Sequence, residues 1–258
     1  MDSDSSTRNL FDLSGRVALV TGGNGGIGLG IARGFAEAGA AVAILARNEA
    51  KNRAALAQLN AFGARALAVR LDVTDRAALA PALAEVERAL GPLEILVNNA
   101  GIARAVGATR GELEDWDRVL ETNLNAAFIL ARLAARAMLP RRRGKIINIG
   151  SEYSLFGNPL AHSYAASKGA LIQLTKSLAV ELAPHNIQVN ALVPGWIESD
   201  MTAPMKSRPF YQEVLRRTPA GRLGTPAECA GAAIFLASPA ADFVTGATLF
   251  VDGGYSIK

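Results

Sequence analysis

Two kinds of apolar pattern alternate along the chain. Short runs with β-branched character predict strands: VALVT (17–21), AVAIL (41–45), ARALAVR (64–70), EILVNN (94–99), KIINIG (145–150), IQVNALV (187–193) and TLFVDG (248–253). Between them, alanine-rich segments of helical period predict helices near 26–38, 49–61, 75–90, 112–138, 162–183 and 226–237, several closed by Gly39, Gly91, Pro140 or Pro184. Such alternation builds βαβ units, and right-handed crossovers make from them an α/β fold: a doubly wound, seven-stranded parallel sheet with helices on both faces. The stretch 195–225 breaks the rhythm. It holds Pro204, Pro209 and Pro219 and no strand pattern, and it predicts an irregular substrate lid. The first ten residues, MDSDSSTRNL, predict a flexible tail before a single catalytic domain over 11–258.

Composition narrows the class. With 258 residues, half of them hydrophobic, the chain can bury a full core. A formal charge of +4 is mild, and the run Arg141, Arg142, Arg143, Lys145 predicts a solvated turn ahead of a strand; no stacking aromatics accompany it, so no nucleic-acid partner is expected. Cys229 is the only cysteine, which excludes an internal disulfide and a cysteine-rich metal site and fits a reducing cytoplasm. His162 and His185 are too few for a histidine metal cluster, so no catalytic metal is expected. The N-terminus lacks the basic start and apolar stretch of an export signal, and no apolar run approaches the roughly 18 residues of a membrane span. The expectation is a cytoplasmic protein with no membrane association.

Two motifs carry chemistry. TGGNGGIG (21–28) lies between the first strand and first helix, where Gly22 permits a tight turn, Gly26 lets backbone approach a pyrophosphate and Gly28 allows close packing. At the tip of the second strand a carboxylate would bind ribose hydroxyls and repel a 2'-phosphate; here stand Ala46 and Arg47, with Asn48 beside them, and NADP(H) is favoured while NAD(H) stays possible. Asp72 and Val73 in LDVTD fall where an adenine would lie, although Asp72 could equally cap the next helix. The second motif is Ser151, Tyr164 and Lys168, spaced Ser-x12-Tyr-x3-Lys. Tyr164 and Lys168 lie one helical turn apart, so the ammonium can stabilise the phenolate and bring the base toward neutral pH, while Ser151 bonds the substrate oxygen.

The chain resembles the short-chain dehydrogenase/reductase family, in its compact single-domain form, over nearly its whole length after the tail. TGGNGGIG is similar to the family's cofactor turn in its Rossmann-type sheet, LDVTD to its adenine segment, NNAG (98–101) to its fourth-strand signature, TNL to the site of its catalytic asparagine, SYAASK to its YxxxK pair and PGWIESDMT (194–202) to its PG motif. The resemblance implies that Tyr164 is the general acid/base, that Lys168 lowers its pKa and binds the nicotinamide ribose, that Ser151 orients the carbonyl and that Asn123 holds a relay water. It also implies cofactor contacts by Asn24, Ile27, Asn99, Ala100, Gly101, Pro194, Gly195, Ile197 and Ser199. Two departures stand out: Gly25 replaces a basic residue common in NADP-using members, and Ser199 replaces a frequent threonine.

The reaction implied is hydride transfer between nicotinamide and a carbonyl or secondary alcohol. Arg104, Glu152, Tyr153, His162 and Trp196 are expected to line the substrate side, unless they are solvated loop residues. Their polarity favours a sugar, sugar acid or polyol. A 3-oxoacyl thioester on acyl carrier protein or coenzyme A is the alternative, and a non-catalytic NADP-binding sensor or scaffold is the alternative of another class. An epimerase or dehydratase on nucleotide sugars would need a longer C-terminal substrate domain. The resemblance further implies a homotetramer built through helices 112–138 and 162–183 and the last strand; their alanine-rich faces could instead cover the sheet of one subunit.

Overall fold

A computed structural model describes residues 10–258. The predicted tail, residues 1–10, lies outside the described residues apart from Leu10. Seven strands, β1 (Val17–Thr21), β2 (Ala41–Ala46), β3 (Ala66–Arg70), β4 (Leu93–Asn98), β5 (Gly144–Ile149), β6 (Ile187–Pro194) and β7 (Thr248–Val251), form one sheet ordered β3-β2-β1-β4-β5-β6-β7. Every pairing is parallel. The helices are α1 (Gly26–Glu37), α2 (Glu49–Asn60), α3 (Arg76–Leu90), α4 (Leu113–Leu120), α5 (Ala126–Met138), α6 (His162–Leu182), α7 (Pro209–Arg217) and α8 (Pro226–Ala237).

Strand side chains alternate between two buried layers, as a period of two requires. In β1, Val17 and Leu19 join a core with Leu79 and Val86 of α3, Leu130 and Met138 of α5 and Leu178 and Leu182 of α6. Ala18 and Val20 point the other way, into a core with Ile31 and Phe35 of α1, Leu59 of α2 and Ala233 and Leu236 of α8. Because both faces are covered, strand sequences read as continuous apolar runs rather than alternating ones. The order reverses between β1 and β4. The crevice at the carboxyl ends of those strands is where such sheets bind ligands.

Two expectations are corrected and a third holds only in part. The helix foreseen over 112–138 is interrupted by a π turn, Glu121–Asn125, between α4 and α5. The irregular stretch 195–225 contains α7, because Pro209 sits at its first helical position, where a missing N–H costs nothing, rather than breaking a helix. The basic run is an exposed turn ahead of β5 over Arg141–Arg143, as expected, but its side chains tie back to the protein and Lys145 is buried in the strand. Arg141 donates to the Leu93 carbonyl at 2.6 Å, Arg142 to that of Pro184 at 2.6 Å, Arg143 pairs with Glu94 at 3.0 Å, and Lys145, 3% exposed, pairs with Asp242 at 2.7 Å.

Candidate active site

The glycine turn is built as its spacing suggests. Gly22 and Gly26 have φ of +64° and +51°, the left-handed region that side chains resist. A Cβ on Gly28 would stand 2.4 Å from both Asn99 Nδ2 and the Gly22 carbonyl oxygen, so only glycine fits. Thr21 ties this turn to the end of β4: its hydroxyl accepts from the backbone N–H groups of Asn99 and Ala100, each at 2.9 Å. Asn99 Nδ2 donates back to the Thr21 carbonyl at 2.8 Å. The α1 N-terminus has no side-chain cap and no acidic residue in its first turn, which suits an anion; Ile27 in that turn packs on the core beneath.

A cleft of about 500 Å³ opens beside the turn. It brings together Gly22, Asn24, Arg47, Asn48, Asp72, Val73, Ala100 and Gly101. Asn24 donates to Asn52 at 2.7 Å and so fixes the turn against α2, while Asn48 caps α2 by accepting from the Lys51 N–H at 3.0 Å. Asp72 does not cap the following helix. It accepts from the N–H and hydroxyl of Thr74 and faces Arg47 at 3.5 Å, while Asp75 caps α3. Lys51, which no motif marked, lines the same cleft near Arg47 and pairs with Asp200 at 2.6 Å. Across the turn, a Cβ on Gly26 would lie 3.4 Å from Ser199 Cβ. Pro194 ends β6, Gly195 has no room for a side chain because Asp252 Cα would be 2.7 Å from its Cβ, and Ile197 is buried. These features fit a dinucleotide: a donor-rich turn, an uncapped helix start and two cations at the far end.

Tyr164 and Lys168 project from one face of α6, and Ser151 follows β5. Lys168 Nζ donates to the Ile149 carbonyl at 2.7 Å and lies 5.7 Å from the Tyr164 ring centroid. The expected lowering of the phenol does not appear. Burial pushes Tyr164 up to about 12, with a hydrogen bond to Ser151 pulling the other way and the Glu152 carboxyl adding to the rise. Burial also brings Lys168 down to about 8. Desolvation dominates both groups, and the ammonium is turned toward the Ile149 carbonyl rather than the phenol oxygen. Asn123, from the π turn, accepts from Ile102 N–H and donates to Ile102 C=O, both at 2.9 Å, and donates to Ser167 at 3.1 Å. One lone pair of its Oδ1 is left for a relay.

The expected substrate-side residues divide into two groups. Tyr153 meets Tyr164 edge-on at 6.3 Å, and Trp196 meets Tyr153 at 6.3 Å and Phe210 of α7 at 5.6 Å. Glu152, 3% exposed, belongs here, its carboxyl pushed up to about 8 chiefly by burial. Arg104 and His162 instead line a separate cavity of about 140 Å³, where Arg104 pairs with Asp115 at 3.2 Å.

Residues 22–256 match a family model described as enoyl-(acyl carrier protein) reductase. The chain belongs to the short-chain dehydrogenase/reductase family. This dehydrogenase/reductase is 43% identical to gluconate 5-dehydrogenase of Gluconobacter oxydans (strain 621H), over 97% of the chain and 98% of the relative. It is 46% identical to galactitol 2-dehydrogenase (L-tagatose-forming) of Cereibacter sphaeroides, with the same coverage. Among solved structures it superposes on a gluconate 5-dehydrogenase from Burkholderia cenocepacia J2315 in complex with NADP and tartrate, with a TM-score of 0.92, 44% identity and coverage of 96% and 98%. The present short-chain dehydrogenase/reductase is therefore an NAD(P)-dependent oxidoreductase that transfers a hydride between nicotinamide and a carbonyl or secondary alcohol. Lys51, which lines the cleft, and Thr21 and Asn52, which brace its glycine turn, were not revealed by spacing alone, because their partners Asp200, Asn99 and Asn24 are distant in sequence.

Proposed function

We propose that the enzyme interconverts a hydroxylated sugar acid or polyol and its ketone with NADP(H), Tyr164 being the proton donor and acceptor. The observation that carries this reading is the convergence of Ser151 and Tyr164, joined by a hydrogen bond, with Lys168 one turn along α6, beside the glycine-turn cleft. The nicotinamide supplies hydride exchange at C4 and, when oxidised, a positive charge. Ser151 holds the substrate oxygen, Tyr164 gives or takes its proton, and Lys168 keeps two N–H donors for ribose hydroxyls besides the one on Ile149. Both hydroxyls face charge that develops only as the carbonyl is reduced, so they stabilise the transition state preferentially. Asn123 positions the loop after β4.

Arg47 and Lys51 at the cleft's far end support NADP(H) over NAD(H), since a 2'-phosphate gains two cations there. The polar wall of Glu152, Tyr153 and Trp196 supports a hydroxylated substrate, as do relatives named for gluconate and galactitol. The stretch 195–225, with α7 at its centre, acts as a lid on one catalytic domain. A homotetramer in the cytoplasm is the expected assembly, supported by exposed Phe128 on α5, Val180 on α6 and Ile257 after β7. No helix among the described residues is long and apolar enough to cross a membrane.

The test is steady-state oxidation of NADPH and, separately, NADH against sugar-acid ketones, ketoses and a 3-oxoacyl thioester, using wild type and Tyr164→Phe. Turnover of a sugar ketone with NADPH preferred, and a loss of roughly 10³-fold in Tyr164→Phe with cofactor binding kept, is expected. Turnover of the thioester alone would move the substrate to the acyl-carrier class, and full activity in the variant would remove Tyr164 from the chemistry.

A further inference from the structure

Three segments far apart in the chain converge beside the proton-transfer site: the loop after β5, the end of α7 and the turn after β7. Between them lies Arg217. Its guanidinium carbon stands 4.5 Å from the Phe156 ring centroid and 4.3 Å from that of Tyr255, and those rings are 6.3 Å apart and inclined by 72°. The two rings thus stand on adjacent sides of the guanidinium, roughly at a right angle to one another, and leave its remaining sides to bond through N–H groups. Nothing among the described residues takes up those groups. Arg217 makes no hydrogen bond and no ion pair with the described residues, and its Nε is buried without a partner. Two other cations of the same stretch are paired, Lys206 with Glu198 at 2.8 Å and Arg222 with Glu228 at 2.6 Å.

An unpaired buried donor is expensive, so native proteins keep one only where something else supplies the acceptor. A guanidinium pre-set by two rings has the geometry of a bidentate carboxylate receptor and has already lost the rotamer freedom that binding would cost it. Its field reaches the reacting end of the site. Arg217 pulls on the Glu152 carboxyl, which adjoins Ser151 and acts in turn on Tyr164. Glu152 itself is held up to about 8, so near neutral pH it is mostly an uncharged acid that neither satisfies Arg217 nor repels an arriving anion. Trp196 Nε1, also buried and unpartnered, adds a second idle donor on the wall that carries Tyr153.

We propose that Arg217 binds the carboxylate of the substrate, at the end of the molecule remote from the reacting carbonyl, and so makes the enzyme select sugar acids over neutral polyols. This rests on the sugar-acid or polyol reading above and decides between its two halves. Arg217 is then a specificity-determining residue rather than a participant in proton transfer. A purely structural Arg217 would staple α7 to the C-terminal turn through its two rings and would serve all substrates equally.

The experiment compares wild type, Arg217→Met and Arg217→Lys with NADPH and two ketones, anionic 5-keto-D-gluconate and neutral L-tagatose, alongside calorimetric binding of D-gluconate to the NADP-loaded enzyme and a melting curve. Methionine keeps the apolar stem between the rings, and lysine keeps the charge. For Arg217→Met, KM for 5-keto-D-gluconate and the D-gluconate dissociation constant are expected to rise about 100-fold, with kcat nearly kept and any L-tagatose turnover within about threefold. Arg217→Lys is expected to recover about tenfold of that loss. Equal losses on both ketones with a lowered melting temperature, unchanged D-gluconate binding, or a wild type that prefers L-tagatose would each overturn the proposal. A wild type that turns over neither ketone would instead sink the underlying substrate reading, and the proposal with it.

Discussion

Tyr164 shows how spacing and environment divide the work at a single residue. Its placement one turn from Lys168 is legible in SYAASK, because helical geometry is local. Its titration is not, because burial comes from segments the motif does not contain, and that burial holds the phenol up to about 12 with Lys168 down to about 8. A raised phenol pKa means that the protonated form persists through neutral and mildly alkaline pH, so the proton donor for reduction is present throughout that range while the base for oxidation is scarce. Carbonyl reduction is therefore expected to hold its kcat/KM level from about pH 6 to 7 and to decline as Lys168 and Glu152 lose their protons near 8, not through loss of the Tyr164 proton, whereas alcohol oxidation should climb from pH 6 to 7. Rate profiles measured in both directions check this; an oxidation rate already level at pH 6 would show that the base titrates far below the value burial sets. Arg217 lay further from view. It is one arginine among several in a proline-punctuated stretch, and Phe156 and Tyr255, which give it meaning, are near it only in space.

At the level of elements, the apolar pattern located all seven strands, since each is a short apolar run and the central ones, β1, β2, β4, β5 and β6, are buried almost throughout. It erred where one residue redirects the backbone. The π turn at Glu121–Asn125 reads as unbroken helix in sequence, yet it is what delivers Asn123 to Ile102. Pro209 reads as a breaker and in fact starts α7. The packing of α1 on α8 was equally hidden. A Cβ on Gly30 would meet the Pro226 carbonyl oxygen at 2.4 Å, and one on Gly34 would meet Ala230 Cβ at 2.6 Å, so the helices approach at a distance only glycine allows. Gly30→Ala weighs a helix-propensity gain of about 1 kcal/mol against overpacking of about 1–3 kcal/mol into a backbone atom. Overpacking is expected to win, with a melting temperature lower by several degrees and weaker NADPH binding, because α1 carries the glycine turn. A scanning-calorimetry trace unchanged or shifted upward would show that α8 yields freely.

In the molecule as a whole, the strand reversal between β1 and β4 sets the glycine turn and Asn99 on one side of a crevice, while β5 and α6 bring Ser151, Tyr164 and Lys168 to the other. The sheet thus keeps cofactor and proton chemistry at one end, and the basic run at the other end is spent on internal contacts. Over that working end hangs a chain of ring edges, Tyr164 to Tyr153 to Trp196 to Phe210, running from the proton site into α7. Trp116 is the only other tryptophan in the sequence, so Trp116→Phe leaves Trp196 as a single emitter at the centre of that chain. Its emission is expected to shift on addition of NADP and again with D-gluconate, and the second shift should vanish in Phe210→Ala; a spectrum indifferent to both ligands would mean that α7 stays put. The same stack of edges that packs the wall gives the enzyme a built-in optical gauge, able to report closure in real time without any attached label.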